Sequence, residues 1–247
     1  MRATEGGVGV GPRRAELGVV EGLDLHAQYY ADRTGGDFFD AVRVGSRVAF
    51  LLSDIAGRRA ETDPIALATQ EVFRSRAAEL FGAADANLMD GTALLVQSVN
   101  AALMGAAKGV RFAPTFLGCY DLQLGLLAYI NGGGQTAVLS DSEGTRALGQ
   151  VAMPLGLFSH LTYEPAMQAF EPGARLVVVT KGVTESRRGR AMFGPERVME
   201  ALQGDSAATV CEGVLGAAAG FQKKGWMRLG RKLVVEDMTA LAMVRRA

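Results

Sequence analysis

The sequence predicts an α+β fold, in which two antiparallel β-sheets pack face to face and helix pairs flank the sandwich. Strand-like patterns fall into two groups, before residue 55 and between residues 113 and 181, and a last strand follows residue 237. A pair of helical patterns follows each group. Because turns rather than helices separate most neighbouring strands, antiparallel pairing is expected, with the helices packed outside the sheets.

The first group contains three strand candidates. Apolar and polar residues alternate over residues 23–29, which is typical of a half-buried strand. Residues 47–53 are almost continuously apolar, which predicts a strand buried on both faces. Between them, a Gly-Gly-Asp turn within residues 34–40 leads into alternating residues, and Gly45-Ser46 predicts a hairpin turn.

Helical spacing defines two pairs of helices. Pro64 suits a first helical turn, and apolar residues recur at helical spacing from there to Leu80. A second helix is predicted over residues 85–108, and the later pair over residues 195–203 and 207–223.

The second group of strands is predicted from short apolar runs with turn signals between them. The predicted bounds are 115–121, 125–131, 137–140, 162–170 and 175–180, with a chain crossing at 153–156 and the last strand at 238–245.

Composition limits the classes of function. The 26 basic and 26 acidic residues give a net charge of zero, so neither nucleic acid nor a membrane surface is predicted as a partner. Two cysteines do not make a disulfide framework, and no window approaches the ~20 apolar residues of a membrane span. Residues 1–20 are predicted to be a flexible leader without a signal peptide, and residues 21–247 a single cytoplasmic domain.

Acidic residues cluster at the ends of predicted strands. Asp37 and Asp40 lie in the glycine-rich turn, Asp54 ends the buried strand, and Glu236-Asp237 open the last strand. Strand ends of a sandwich can converge at one rim, where several carboxylates would require a hard cation such as Mg²⁺ or Mn²⁺. The alternative is that each is an ordinary turn residue, because aspartate is common in turns.

The order of short motifs adds to this interpretation. The chain carries GGDFFD (35–40), LSDIAG (52–57), FLGCYDL (116–122), LAYINGGG (127–134), MPLG (153–156), PGARLVVVTKGVTE (172–185), MFG (192–194) and EDMT (236–239). This series, over roughly residues 20–247, resembles the PPM-type metal-dependent protein phosphatases, most closely their bacterial SpoIIE/RsbU branch. The resemblance implies the same sandwich fold and a two-metal centre that hydrolyses phosphoserine or phosphothreonine, often on STAS-type anti-sigma-factor antagonists.

The resemblance also assigns residues to the metal centre. Asp37 keeps the family's first acidic position, and Asp54 keeps the aspartate that bridges both metals, with the backbone carbonyl of Ile55 as a further ligand. Glu236 stands where the family has an aspartate ligand. Asp37, Asp54 and Glu236 are therefore the implied catalytic and metal-binding carboxylates. One or two Mn²⁺ or Mg²⁺ ions are implied if the site is active, and none if it is not.

One departure from the family pattern changes the chemistry. The family's Thr-Asp-Gly segment has Lys181 in place of a metal-ligating aspartate. Lysine has three donors and no acceptor, so it cannot ligate a cation at neutral pH, but its ammonium can substitute for the charge of the second metal. Two functions stay open: a phosphatase that tolerates an unusual site, and a pseudophosphatase that binds a phosphoprotein without hydrolysis.

Arginines near these motifs provide further candidates. Arg33 and Arg58 are candidates for binding a substrate phosphate, with a solvated arginine as the alternative. Arginines in residues 187–190 and the basic segment 223–232 could receive a phosphorylated or acidic partner, although such runs are usually solvated loops. Gly132-Gly133-Gly134 could cradle a phosphate, but a tight turn between strands explains these glycines more simply.

Overall fold

The computed structural model describes residues 21–30, 34–107, 111–149, 151–226 and 237–246, with side chains up to residue 222 in the fourth range. The predicted leader over residues 1–20 lies outside the described residues. The strands are β1 (Leu23–Tyr29), β2 (Asp37–Val44), β3 (Arg47–Asp54), β4 (Thr115–Asp121), β5 (Leu126–Gly132), β6 (Thr136–Asp141), β7 (Gly144–Ala147), β8 (Ala166–Ala169), β9 (Arg175–Val179), β10 (Arg187–Arg188), β11 (Ala191–Met192) and β12 (Thr239–Arg245). The helices are α1 (Arg59–Phe81), α2 (Leu88–Ala107), α3 (Lys181–Thr184), α4 (Gly194–Ala201) and α5 (Ala207–Trp226).

Two five-stranded antiparallel sheets form the centre of the molecule. Sheet A has the strand order β1-β12-β9-β6-β7, and sheet B has the order β2-β3-β4-β5-β8. Strands β10 and β11 form a separate small hairpin. Helices α1 and α2 cover the outer face of sheet B, and α4 and α5 cover the outer face of sheet A. The predicted fold class is therefore confirmed.

The layers explain why the central strands are apolar on both faces. In β3, Phe50 and Leu52 point between the sheets, whereas Leu51 points towards α1 and α2. In β9, Val178 points between the sheets, and Val177 points towards α4 and α5. Successive residues of a strand face opposite sides, so these strands bury all their side chains except Asp54 and Arg175, which are partly exposed at the strand ends.

Several predicted bounds were wrong for identifiable reasons. Helix α1 begins at Arg59, so Pro64 lies inside it and removes one helical hydrogen bond instead of starting the helix. Helix α2 begins at Leu88 because the Asn87 side chain caps it, accepting hydrogen bonds from the amides of Met89 and Asp90.

The sequence analysis also missed four short elements. Helix α3, strand β7 and the hairpin strands β10 and β11 were not predicted, and the strand predicted over residues 162–170 is limited to β8 at the edge of sheet B. Short elements contain too few residues to establish a hydrophobic period. Within the described ranges, no helix combines the length and apolarity required to cross a membrane.

Candidate functional site

The candidate site is centred on two carboxylates from adjacent strands of sheet B. Asp37 begins β2 and Asp54 ends β3, and the two residues are directly opposite each other in the antiparallel register. Phe39 and Leu52, next on the same faces of these strands, point into the core between the sheets. Asp37 and Asp54 therefore share the inner face of sheet B, at the edge where that core ends.

Asp37 connects the two sheets. Its carboxylate oxygen Oδ2 accepts hydrogen bonds from the hydroxyls of Thr180, at 2.8 Å, and Thr239, at 2.5 Å, and these residues belong to the sheet A side of the sandwich. All three residues are buried. Burial, and secondly the charge of Asp54, raise the pKa of Asp37 well above its usual range, while the two hydroxyls oppose this rise.

A tight turn holds the loop after Asp54 against the start of β2. The amide of Ile55 donates to the Gly36 carbonyl over 3.2 Å. A methyl group at Gly36 would lie 1.8 Å from the Ile55 carbonyl oxygen, so only glycine fits there. The Gly-Gly-Asp motif therefore brings this carbonyl, which is the predicted backbone ligand, to the turn that precedes Asp37.

Asp237 has a structural role in the same region. Its two carboxylate oxygens accept hydrogen bonds from the amide and hydroxyl of Thr34, at 2.7 and 2.8 Å, and from the amide of Gly35, at 2.7 Å. Three donors thus occupy the carboxylate, which ties the start of β12 to the glycine turn. This contact spans more than 200 residues of sequence and was not predicted.

Lys181 lies next to the loop that follows Asp54. Its ammonium nitrogen Nζ is 5.3 Å from the centre of the Phe112 ring, a cation–π contact. The Phe112 carbonyl accepts a hydrogen bond from the amide of Ala56 over 2.8 Å, and the Ala56 carbonyl accepts one from Arg111 over 3.0 Å. Lys181, a partly buried residue, therefore brings a positive charge to this edge of the sandwich.

Asp40 does not belong to the site, contrary to the expectation that the acidic residues at strand ends converge. Its side chain lies on the outer face of sheet B, away from the core between the two sheets. There it forms a bidentate ion pair with Arg74 of α1, with nitrogen–oxygen distances of 2.7 and 2.8 Å. Strand alternation explains the difference, because Asp40 is three residues after Asp37 and therefore lies on the opposite face.

The other predicted residues have different positions. Arg58 precedes α1 as its exposed N-cap residue, without a side-chain capping bond. Arg33 and Glu236 lie outside the described residues, as does the basic segment after residue 226. Gly133 and Gly134 adopt positive φ angles in the turn after β5, and a methyl group on Gly133 would lie 2.8 Å from Pro114, which supports the turn interpretation.

The described residues provide few ligands for a divalent ion. Among them, no group of three or more His, Cys, Asp or Glu side chains is placed to hold a metal. Three donors occupy the carboxylate of Asp237, and one oxygen of Asp37 accepts two hydroxyl donors. Glu236 lies outside the described residues, and the described carboxylates do not by themselves complete a two-ion centre.

The residues that support these carboxylates were not predicted from the sequence. Thr180 and Thr239 belong to the motifs around Lys181 and Glu236, whose charged positions alone were predicted to form the site. Gln135 was also missed: its side-chain amide donates over 3.1 Å to the Pro114 carbonyl, which also accepts from the Asp54 amide over 2.9 Å. The sequence signal available for Thr180 and Thr239 was the position of each threonine directly beside a strand end.

Comparisons with known proteins agree with this architecture. A family model described as stage II sporulation protein E (SpoIIE) matches residues 45–246. Protein IcfG of Synechocystis sp. is 32% identical over 99 residues, which are 39% of this chain and 16% of IcfG. The chain therefore spans only a small part of that relative.

Solved structures show the same fold. The RsbU and RsbW domains of Rv1364c from Mycobacterium tuberculosis match with a TM-score of 0.68 and 20% identity, over 92% of this chain and 62% of that one. The catalytic domain of the serine/threonine protein phosphatase PstP, solved with 2 manganese ions, matches with a TM-score of 0.62 and 14% identity, over 91% of this chain and 100% of that one.

Proposed function

The chain belongs to the SpoIIE family, in the SpoIIE/RsbU branch of the PPM-type protein phosphatases, and on this premise we propose that it recognises phosphorylated serine or threonine side chains of a regulatory protein. A STAS-type anti-sigma-factor antagonist is the kind of partner proposed. The mycobacterial structure, in which an RsbU domain occurs with an RsbW domain, supports a regulatory setting of this kind.

The first candidate function is metal-dependent hydrolysis, which the family supports. Asp54 and the Ile55 carbonyl would hold one Mn²⁺ or Mg²⁺ ion, with Glu236 as a third ligand. Such an ion, when bound, polarises a phosphoryl oxygen and lowers the pKa of bound water. The chain's own contribution is to hold Asp54 rigidly: the hydrogen bond from its amide to Pro114 and the turn at Gly36 fix the backbone on either side of it.

The second candidate function is phosphoprotein binding without turnover, and the geometry of the described residues supports it best. The observation that carries it is the ammonium of the partly buried Lys181 over the Phe112 ring, beside the loop after Asp54. A positive charge there repels a second divalent ion and attracts a phosphate. The engagement of Asp37 by Thr180 and Thr239 supports the same conclusion, because it leaves that carboxylate poorly placed to serve a second ion.

The experiment that separates these functions compares wild type with Lys181→Asp/Glu236→Asp, which restores the family's ligand types. Turnover of a phosphoserine peptide is measured against Mn²⁺ concentration, and peptide binding is measured without metal. We expect wild type to bind the peptide with little turnover, and the double variant to gain Mn²⁺ affinity and Mn²⁺-dependent hydrolysis, because a carboxylate replaces a repelling ammonium.

The matched control is Arg190→Asp, which makes the same charge change as Lys181→Asp on an exposed residue of the β10–β11 hairpin. It should gain neither metal affinity nor activity. Efficient Mn²⁺-dependent turnover by wild type would favour the first function over the second. If that turnover also survived Asp54→Ala, the site would be placed wrongly. Failure of wild type to bind the phosphoserine peptide more tightly than its serine counterpart would contradict both functions.

A further inference from the structure

Two arginine side chains share one aromatic ring on the sheet A side of the molecule. The guanidinium carbon of Arg188, in β10, lies 4.6 Å from the ring centre of Phe221, and that of Arg197, in α4, lies 4.9 Å from the same centre. Phe193 meets the Phe221 ring edge-on, with ring centres 5.7 Å apart. The ring therefore holds two cationic groups in defined positions.

These side chains border an open groove of about 460 Å³ between the β10–β11 hairpin, α4 and α5. The remaining lining residues are Phe193, Glu200, Ala201, Ala217 and Gly220. A methyl group at Gly220 would meet no atom within 4 Å, so α5 leaves space there for an incoming side chain. The groove thus combines a small-residue apolar floor with two guanidinium groups and one carboxylate, that of Glu200.

The two guanidinium groups retain hydrogen-bonding capacity. Arg197 uses its Nη1 to donate to the carbonyls of Met192 and Phe193, over 3.1 and 2.8 Å, which leaves Nε and Nη2 for another acceptor. Within the described part of the chain, neither Arg188 nor Arg197 forms an ion pair with a carboxylate. Both guanidinium groups line the same groove, so an oxyanion bound there is attracted by both positive charges.

We propose that this groove docks an acidic segment of a protein partner, with a glutamate or aspartate bridging Arg188 and Arg197 and an apolar side chain resting on Ala217 and Gly220. Charge complementarity identifies the occupant, because Arg188 and Arg197 in the groove and Arg187 and Arg190 in the adjoining hairpin outnumber the single lining carboxylate, that of Glu200. The apolar floor beside the two charges fits a peptide side chain, whereas a nucleic-acid backbone would need a longer basic track. This docking is independent of chemistry at Asp54.

The test measures binding of a short fluorescein-labelled peptide rich in glutamate and leucine by fluorescence anisotropy. A matched peptide has glutamine in place of each glutamate. Wild type should prefer the acidic peptide, and Arg188→Gln should weaken binding by about tenfold, as expected for loss of a charge-assisted contact. Phe221→Leu should also weaken binding, because it removes the ring that orients both guanidinium groups.

Arg187→Gln is the matched control, since it removes the same charge from the neighbouring residue of β10, which does not line the groove. It should change affinity by less than about twofold, an effect of long-range charge alone. The proposal would be overturned if Arg187→Gln weakened binding of the acidic peptide as much as Arg188→Gln does, or if the glutamine peptide bound as tightly as the acidic one. Tighter binding of single-stranded RNA than of the acidic peptide would also overturn it. Within the described residues the Arg188 side chain donates no hydrogen bond, so Arg188→Gln should keep its fold by thermal melting, and phosphoserine peptides should bind beside Lys181 as they do in wild type.

Discussion

Replacing Asp37 by asparagine should stabilise the protein at neutral and alkaline pH when divalent ions are removed. Residues directly opposite in an antiparallel pair have Cβ atoms ~5 Å apart. Two unit charges at that distance, in an effective dielectric constant of about 20, repel by ~3 kcal/mol. Asparagine removes this repulsion from Asp54, and its amide oxygen can still accept the hydroxyls of Thr180 and Thr239.

The sign of the pH dependence follows from the raised pKa of Asp37. The folded protein keeps a proton on this carboxyl over a range in which the unfolded chain has released it, so wild-type stability falls as pH rises from the unfolded pKa of ~3.9 through the higher folded value. Because asparagine does not ionise, the stability of the Asp37→Asn variant does not fall for this reason over this pH range. Urea unfolding in the presence of a chelator should show a gain of about 1–3 kcal/mol at pH 8, shrinking towards pH 4.

Asp40→Asn is the control for this measurement. Asp40 lies on the same strand but is paired with Arg74, so its replacement should destabilise the protein by about 1–3 kcal/mol at pH 7. If Asp37→Asn stabilised the protein equally at every pH, or destabilised it at every pH, the conclusion that burial and the charge of Asp54 disfavour ionised Asp37 would be refuted.

Three further predictions concern the same edge of the sandwich. Calorimetric titration of wild type should show at most one tight Mn²⁺ ion, and Asp54→Ala should abolish it; two ions of similar affinity would contradict a single-ion site. Thr239→Val should lower the free energy of unfolding by about 1–3 kcal/mol, because a buried carboxylate loses a donor, whereas the exposed Thr145→Val should change it by less than ~0.5 kcal/mol. Asp237→Ala should speed amide hydrogen exchange at Gly35, and unchanged exchange there would show that the loop is held by other contacts.

Local sequence contained enough to place the two central carboxylates. The hairpin turn at Gly45-Ser46 sets the register of β2 and β3, and that register puts Asp37 opposite Asp54. The continuous apolar run in β3 correctly indicated a strand covered on both faces. The fold class followed from the grouping of strands and helices and was confirmed.

Contacts between distant parts of the chain could not be predicted in the same way. The partner of Asp40 is on α1, and the donors to Asp237 are 202 and 203 residues away. No local pattern distinguishes an aspartate that pairs with an arginine from one that holds a loop, because both occur at strand ends. The approximate positions of the acidic residues could therefore be predicted from local sequence, whereas their roles depend on tertiary contacts and could not.

The position of β12 determines the order in which this molecule can be assembled during synthesis. Strands β2 to β5 and helices α1 and α2 all precede residue 133, so most of sheet B and its helical layer can form while later segments are still being made. In sheet A, β9 can pair with β6 and β7 before β12 is made, but β1 has no neighbouring strand until β12 enters between β1 and β9. Asp37 meets Thr239 only at that step, across 202 residues. Until β12 is in place, the carboxylate of Asp37, which faces Asp54, lacks its hydroxyl donor from Thr239, so this edge of the sandwich is completed last.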